Sequence, residues 1–216
     1  MVKMKKSPLP EGIVIKNEKD YQRGIVFRLL CDDCYHKCYI CEHRPIPPEV
    51  EHRLTHKNDE ALKYDWNNLL YSCVHCNRVK NNPKFYDGIL NPIQINPEEY
   101  INLYMEYNDD LKERIVVVKK VKDDDLVDIT VELLDLVYNN ISTDNRRESS
   151  FNLKNIISKD ISMFMVYIEK YLEKPDDIII FDVIKDEISR ESEFAAFKRQ
   201  IIRDNEKLFE TFKEAL

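Results

Sequence analysis

The stretch Trp66-Asn67-Asn68-Leu69-Leu70-Tyr71-Ser72-Cys73-Val74-His75-Cys76-Asn77-Arg78-Val79-Lys80 decides how this chain is to be read. It carries one Cys-x-x-Cys pair, and a second, Cys38-Tyr39-Ile40-Cys41, lies about thirty residues upstream. Two residues between ligands let a tight knuckle or a helix start aim both sulfurs at one ion. Two such half-sites complete the tetrahedral four-cysteine set that structural Zn2+ prefers. Asn68 reads as the N-cap of a helix running through Cys73, Cys76 and Asn77, which Asn81-Asn82-Pro83 ends. Trp66, the only tryptophan, reads as a core aromatic beneath the metal module.

A third pair, Cys31-x-x-Cys34, falls inside an apolar helical pattern over Asn17 to Cys34 and reads as ordinary packing or surface cysteines. The rival reading gives these two a second metal with His36, or the place of one of the other pairs. The segment between the paired half-sites, Cys38 to Leu54, is Pro-rich at its centre and reads as two short extended pieces around a loop. It has little core of its own, so the metal supplies its folding free energy, on the order of 10 kcal/mol in small zinc modules.

Downstream, Pro97 to about Tyr107 reads as a short helix with Pro in its first turn. Arg114 to Val121 is a β-branched strand candidate, and Asp123 to Asp125 is a solvated turn. Helices are expected over Leu126–Tyr138, Ser149–Leu172 and Ser192–Leu216, with Pro175 and a short apolar element, Ile178 to Phe181, between the last two. The fold class is α+β, mostly helical. An N-terminal metal module over residues 1–107 precedes a helical scaffold or partner-docking region over 108–216, with a soft boundary across 108–125.

The 216 residues include only 3 glycines, which argues against a Gly-rich phosphate loop and an all-β fold of tight turns. No apolar run approaches the roughly 20 residues of a membrane span. The lysine-bearing start has no apolar stretch after it, so a cytoplasmic location is expected. In a reducing compartment, paired Cys-x-x-Cys spacings read as metal sites before disulfides, and a disulfide oxidoreductase would need a βαβ frame that the motif lacks. Net charge is −7, but residues 1–90 hold 15 Lys+Arg against 12 Asp+Glu, and the acidity lies in the rest. Charge therefore neither excludes nor supports a nucleic-acid partner, and the basic footprint of a stand-alone binder is missing.

Between the two cysteine pairs stands Val50-Glu51-His52-Arg53-Leu54. Taken together, Cys38-x-x-Cys41, Glu51-His52, Asn68-Leu69, Cys73-x-x-Cys76-Asn77 and Lys80 resemble the HNH endonuclease family. That family shows these five elements in this order. The match covers about Lys37 to Lys80, and it implies a ββα-metal module with a structural zinc bound by Cys38, Cys41, Cys73 and Cys76. The resemblance also implies roles. His52 is the base that activates water, a task suited to an imidazole titrating near neutrality. Glu51 and Asn77 are oxygen ligands for a catalytic Mg2+ or Mn2+, and Asn68 braces the loop that positions the base. Two departures stand out: Glu51 replaces the commoner Asp, and Asn77 replaces the frequent final His, making an H-N-N version.

Arg53, Arg78 and Lys80 are candidate phosphate contacts, with solvated charge as the plain alternative. His56 could assist phosphate binding or stand by, His43 reads as a bystander, and His75 as exposed. On its flanks the chain is similar to the HNH nuclease subunits of Septu and related retron anti-phage systems. The flanks concerned are Lys37-Cys38-Tyr39-Ile40-Cys41-Glu42, Leu90-Asn91-Pro92, the segment Ile129 to Leu136 and Phe194 to Arg199. This implies an ABC/SMC-like ATPase as partner. The expected function is metal-dependent cleavage of nucleic acid, DNA favoured. Alternatives are an RNA- or tRNA-cleaving effector, a non-catalytic zinc-ribbon-like module that binds nucleic acid or protein, and an adaptor for the ATPase.

Overall fold

The computed structural model describes residues 1–45 and 47–216. Its first helical stretch is two helices, α1 (Glu18–Tyr21) and α2 (Gly24–Asp33), where the pattern predicted one. Asn17 accepts from the Lys19 amide and Asp20 closes the capping box, so α1 has a strong start. Arg23 is extended and Gly24 has φ +70°, a left-handed value that glycine tolerates, and the chain re-aims there before α2 begins.

Of the two extended pieces expected in the Pro-rich segment, one forms: β1 (Pro48–His52). Residues 39–41 make a turn instead, and within the loop between them Ile46 lies outside the described residues. After α3 (Glu60–Lys63) and a 3₁₀ turn over Trp66–Asn68 comes β2 (Leu69–Cys73), then α4 (Val74–Lys80). The helix expected from Asn68 therefore starts later, at Cys73. Leu69 to Cys73 is a five-residue run buried at every position. Such a run is a strand covered on both faces, which periodicity cannot tell from a buried helix turn. β1 and β2 pair antiparallel, with Glu51 opposite Leu70 and His52 opposite Leu69.

The second sheet is the hairpin of β3 (Ile101–Asn108) and β4 (Glu113–Lys120). Pro97 begins only a 3₁₀ turn, and the helix predicted through Tyr107 is replaced by β3. Ile101 and Leu103 are buried in alternation, and the β-branched Val116-Val117-Val118 of β4 supplies the partner strand. The boundary drawn at 107/108 falls in this hairpin. β4 itself coincides closely with the strand expected from Arg114.

Helices make up the remainder, and the protein is α+β with about 50% helix and two small sheets. α5 (Asp125–Asn139) is capped by Asp124, and α6 (Asp144–Glu173) starts five residues earlier than the pattern suggested because Thr143 accepts from the Arg146 amide. The apolar element at Ile178 opens α7 (Ile178–Glu187). The predicted terminal helix is divided into α8 (Ala195–Arg203) and α9 (Glu206–Phe212), with Asn205 capping the second. No described helix is long and apolar enough to cross a membrane.

The largest buried cluster draws on both halves: the four paired cysteines, Ile89, Leu103, Val116, Leu133, Tyr138 and Phe197 all belong to it. A smaller cluster, including Phe164, Ile184 and Phe212, seals α6 to α9. Arg199, 1% exposed, ties α8 to the Pro97 turn by donating Nε to Glu98 at 2.8 Å.

Candidate metal cage and adjoining cleft

Cys73 ends β2 and caps α4. Its Sγ accepts from the Cys76 amide at 3.3 Å, so one strand end and one helix start bring both sulfurs of this pair to the same point. On the other side, the Glu42 amide donates to the Cys38 carbonyl at 2.8 Å, curling Cys38 to Cys41 into a tight knuckle. The Tyr39 amide donates to the Tyr71 carbonyl at 3.0 Å and docks this knuckle on β2. All four sulfurs lie within 4.8 Å of one another, and Cys41 Sγ is 3.8 Å from Cys73 Sγ. A tetrahedral ion with Zn–S bonds of ~2.3 Å sets sulfurs roughly 3.8 Å apart. The four cysteines are free and buried, and they could hold a metal ion such as zinc.

Their electrostatics fit that use. Burial works against the Cys38 thiolate, but hydrogen bonds from Cys41, Cys73 and Cys76 outweigh it and hold its pKa well below the usual thiol value. Cys41, through its bond to Cys38, and Cys76, through burial, are pushed up. Cys31 and Cys34 stand outside the cluster. Burial lifts their thiols to about 11 and about 12, as expected of packed, unreactive side chains. His36 pairs with Asp32 at 3.1 Å on the surface.

The first knuckle is also clamped from far along the chain. Lys37, fully buried, donates to the carbonyls of Arg190 at 2.7 Å and Ser192 at 2.6 Å, and pairs with Glu42 at 3.4 Å. The Ala196 amide donates to Glu42, and His43 lies 3.0 Å from Glu193.

Beside the cage, at the end of β1, lies a cleft of about 160 Å³ to which Glu51, His52, His56, Asn77, Lys80 and Asn81 contribute. Five of the site residues named from sequence thus meet in one place. His52 Nε2 is 2.9 Å from the Lys63 carbonyl. A carbonyl only accepts, so Nε2 carries the proton and Nδ1 keeps its lone pair when the ring is neutral. Burial pushes the imidazole below its usual pKa, against the pull of that carbonyl. Tyr21 and His56 meet the ring edge-on at 5.8 and 5.0 Å between centroids. Asn68, 3% exposed, does not line the cleft. It accepts from the Leu54 amide at 2.8 Å and donates to the Leu54 and Leu62 carbonyls at 2.9 and 3.1 Å. These three bonds fasten the loop that ends at Lys63.

Glu51 is buried and accepts from the Tyr39 hydroxyl at 2.5 Å and from Lys80 at 2.6 Å. Burial raises its carboxyl pKa even though Lys80 and Tyr39 both act to lower it. Asn77 donates Nδ2 to Glu49 at 2.7 Å. Its Oδ1 has no protein donor among the described residues. A carboxylate uses two of about four lone-pair positions in such a pair of bonds. Glu51 and Asn77 thus retain oxygen lone pairs beyond these bonds.

Two candidate phosphate contacts are engaged by the protein itself. Arg53 is turned from the cleft, with Nη1 3.4 Å from the Ile89 carbonyl and beneath Gly88, where a Cβ would stand 2.8 Å from it. Lys80, 2% exposed, donates to the His52 carbonyl at 3.0 Å as well as pairing with Glu51, so its ammonium is taken up internally. His56 accepts from the Asn58 amide at 3.2 Å, and exposed Arg78 lines a neighbouring groove. His75 is half-buried rather than exposed, and its Nε2 donates to the Val137 carbonyl at 2.7 Å. Trp66 packs with Tyr21, Leu30 and Leu69 in a separate small cluster, not beneath the cage.

The sequence reading missed Tyr39, Glu49 and the Lys63 carbonyl. Glu49 had a signal, since it lies two residues before Glu51 and so on the same strand face. A backbone carbonyl and a tyrosine between two cysteines had none. No protein-family profile, curated protein or solved structure matches the chain.

Proposed function

We propose that the protein is an HNH-type, metal-dependent endonuclease hydrolysing phosphodiester bonds of nucleic acid, DNA first, with a structural zinc in the Cys38/Cys41/Cys73/Cys76 cage. The observation that carries this reading is the His52 imidazole. Its pKa is lowered by burial, the Lys63 carbonyl fixes the neutral ring as the Nε2–H tautomer, and it shares its cleft with Glu51 and Asn77.

In this reading Nδ1 of His52 takes the proton from a water that attacks phosphorus, and the Lys63 carbonyl stabilises the imidazolium that results. Asn68 keeps that carbonyl in place by fastening both ends of its loop. A divalent cation held by Glu51 and Asn77 would supply Lewis-acid stabilisation of the phosphate and the leaving oxygen. Lys80 compensates the Glu51 charge and holds the carboxylate at the edge of the cleft. The resemblance of the flanks extends the proposal to a cytoplasmic anti-phage effector working with an ABC/SMC-like ATPase, with the helical half as its docking region.

The Glu51–Lys80 pair favours a second reading, a non-catalytic zinc-binding module in which this pair is purely structural. Incubation of plasmid DNA, single-stranded DNA and total tRNA with Mg2+ or Mn2+, alone and with an ABC/SMC-like ATPase of the kind the resemblance implies, separates the two. Cleavage lost in His52→Ala and made less metal-dependent in Asn77→Ala is the expected result, and the substrate cut names the class. Cleavage that survives His52→Ala, or its absence under every condition, overturns the nuclease.

A further inference from the structure

α4 separates two depressions. Asn77 and Lys80 face the cleft, while His75 and Arg78 face a groove of about 610 Å³ whose far wall is the start of α6. Thr143, Asn145 and Arg146 form that wall, and Asn81 lines both depressions, so the two adjoin at the end of α4.

The charge of this groove is unlike that of the chain as a whole. The protein carries 40 Asp+Glu against 33 Lys+Arg, yet no acidic side chain lines the groove. Asp144 and Glu148, on the same helix as Arg146, are not among its lining residues. Neither Arg78 nor Arg146 makes an ion pair with a described acidic residue, whereas Lys37, Lys80, Lys198 and Arg199 are all taken up in buried pairs. Asn81, Thr143 and Asn145 add amide and hydroxyl groups between the two guanidiniums. His75, with Nε2 committed to Val137, anchors α4 to α5 and leaves recognition to the arginines.

We infer that this groove is a track for the backbone of a nucleic-acid strand, with Arg78 and Arg146 gripping phosphates next to the one presented to His52. The inference rests on the nuclease reading and deepens it by naming where the strand runs. Guanidinium forks match phosphate oxygens in geometry and charge. Contacts of this kind position a strand without reading its sequence. Two arginines on separate elements also define a direction, from the cleft past Asn81 toward the start of α6.

The test measures binding apart from cutting. Full-length His52→Ala protein is titrated by fluorescence anisotropy against a labelled single-stranded DNA, its duplex and the matching RNA, each over a range of salt. Adding Arg78→Ala and Arg146→Ala should weaken binding at least tenfold at low salt. It should also flatten the slope of log affinity against log salt by about 1 to 2. Arg78→Lys with Arg146→Lys should retain most of that slope. Because these residues are exposed, the melting temperature should not move, which separates lost contacts from lost folding. The probe bound most tightly distinguishes DNA from RNA. Unchanged affinity and slope in the alanine variant, or no binding of any probe, overturns the track. If His52→Ala still cleaves while the arginine variant loses binding, the track stands and the assignment of the base fails.

Discussion

His52 and Lys63 are joined by a single hydrogen bond, 2.9 Å from imidazole Nε2 to backbone carbonyl, across a loop whose ends Asn68 holds. This bond decides which ring nitrogen is left to act as a base. It also makes the tautomer a property of the loop rather than of the histidine alone.

For the nuclease proposed above, the pH dependence of cleavage would follow from that environment. A general base works above its pKa, and burial places that of His52 below the ordinary imidazole value of 6.5. The acidic limb of the rate profile should therefore have its midpoint below pH 6.5, with His52→Ala lowering the plateau by about 10²- to 10⁴-fold. Single-turnover rates on either side of that midpoint measure both. A midpoint above the ordinary value would contradict a base whose pKa is lowered by its half-buried setting.

Asn68→Ala removes three hydrogen bonds at a buried position and leaves the carbonyls of Leu54 and Leu62 without that donor. A loss of about 2–3 kcal/mol is expected, with the melting temperature falling by roughly 5–10 °C. Cleavage at a temperature where the variant is fully folded should fall further than any folding deficit explains, because the Lys63 carbonyl is no longer held. Calorimetry beside activity at that temperature checks it. Full activity in the folded variant would reduce Asn68 to a stability residue.

Lys80→Met leaves the Glu51 carboxylate buried with Tyr39 as its remaining partner. Breaking one side of a buried ion pair costs about 3–5 kcal/mol, whereas Glu51→Gln with Lys80→Met should recover much of it. Denaturant unfolding of the two single variants and the double variant gives the coupling. Near-additive losses would mean that the pair contributes little beyond its separate contacts.

Metal content should be one zinc per chain, lost with cooperative unfolding of the module on strong chelation or in Cys76→Ser. Cys31→Ser with Cys34→Ser should leave it at one, since neither thiol reaches the cluster. Elemental analysis of the purified variants decides. Two metals in the native protein, falling to one in the double serine variant, would restore the rival role for Cys31 and Cys34.

Residues whose meaning is local were the readable ones. Two Cys-x-x-Cys pairs named the cage because their spacing suits one ion and, unlike Cys31 and Cys34, they lie outside the apolar helical pattern that ends at Cys34. The β-branched run of β4 likewise carried its own signal, and so did the helix from Leu126, although its cap, Asp124, falls in what reads as a solvated turn. What misled were runs whose state depends on a distant partner. Leu69 to Cys73 is a strand because β1 and α4 enclose it, and Ile101 to Asn108 because β4 lies alongside. In the cleft, Glu51, His52 and Asn77 were visible as residue types. The internal partners that capture Lys80 and Arg53 were not, because the His52 carbonyl, Gly88 and Ile89 reach them only through the tertiary fold.

The clamp on the first knuckle has a bearing on the order in which the protein can be made. Lys37 and Glu42 are buried charges whose partners at Arg190, Ser192 and Ala196 are translated roughly 150 residues later. Until α8 has left the ribosome, the segment around Cys38 and Cys41 holds two charges short of their full complement, beside sulfurs already able to bind metal. The nascent chain can therefore load its ion early but can lock the module only once residues 190–196 have emerged. Whatever chemistry rests on this knuckle would stay unset until residues 190–196 are in place.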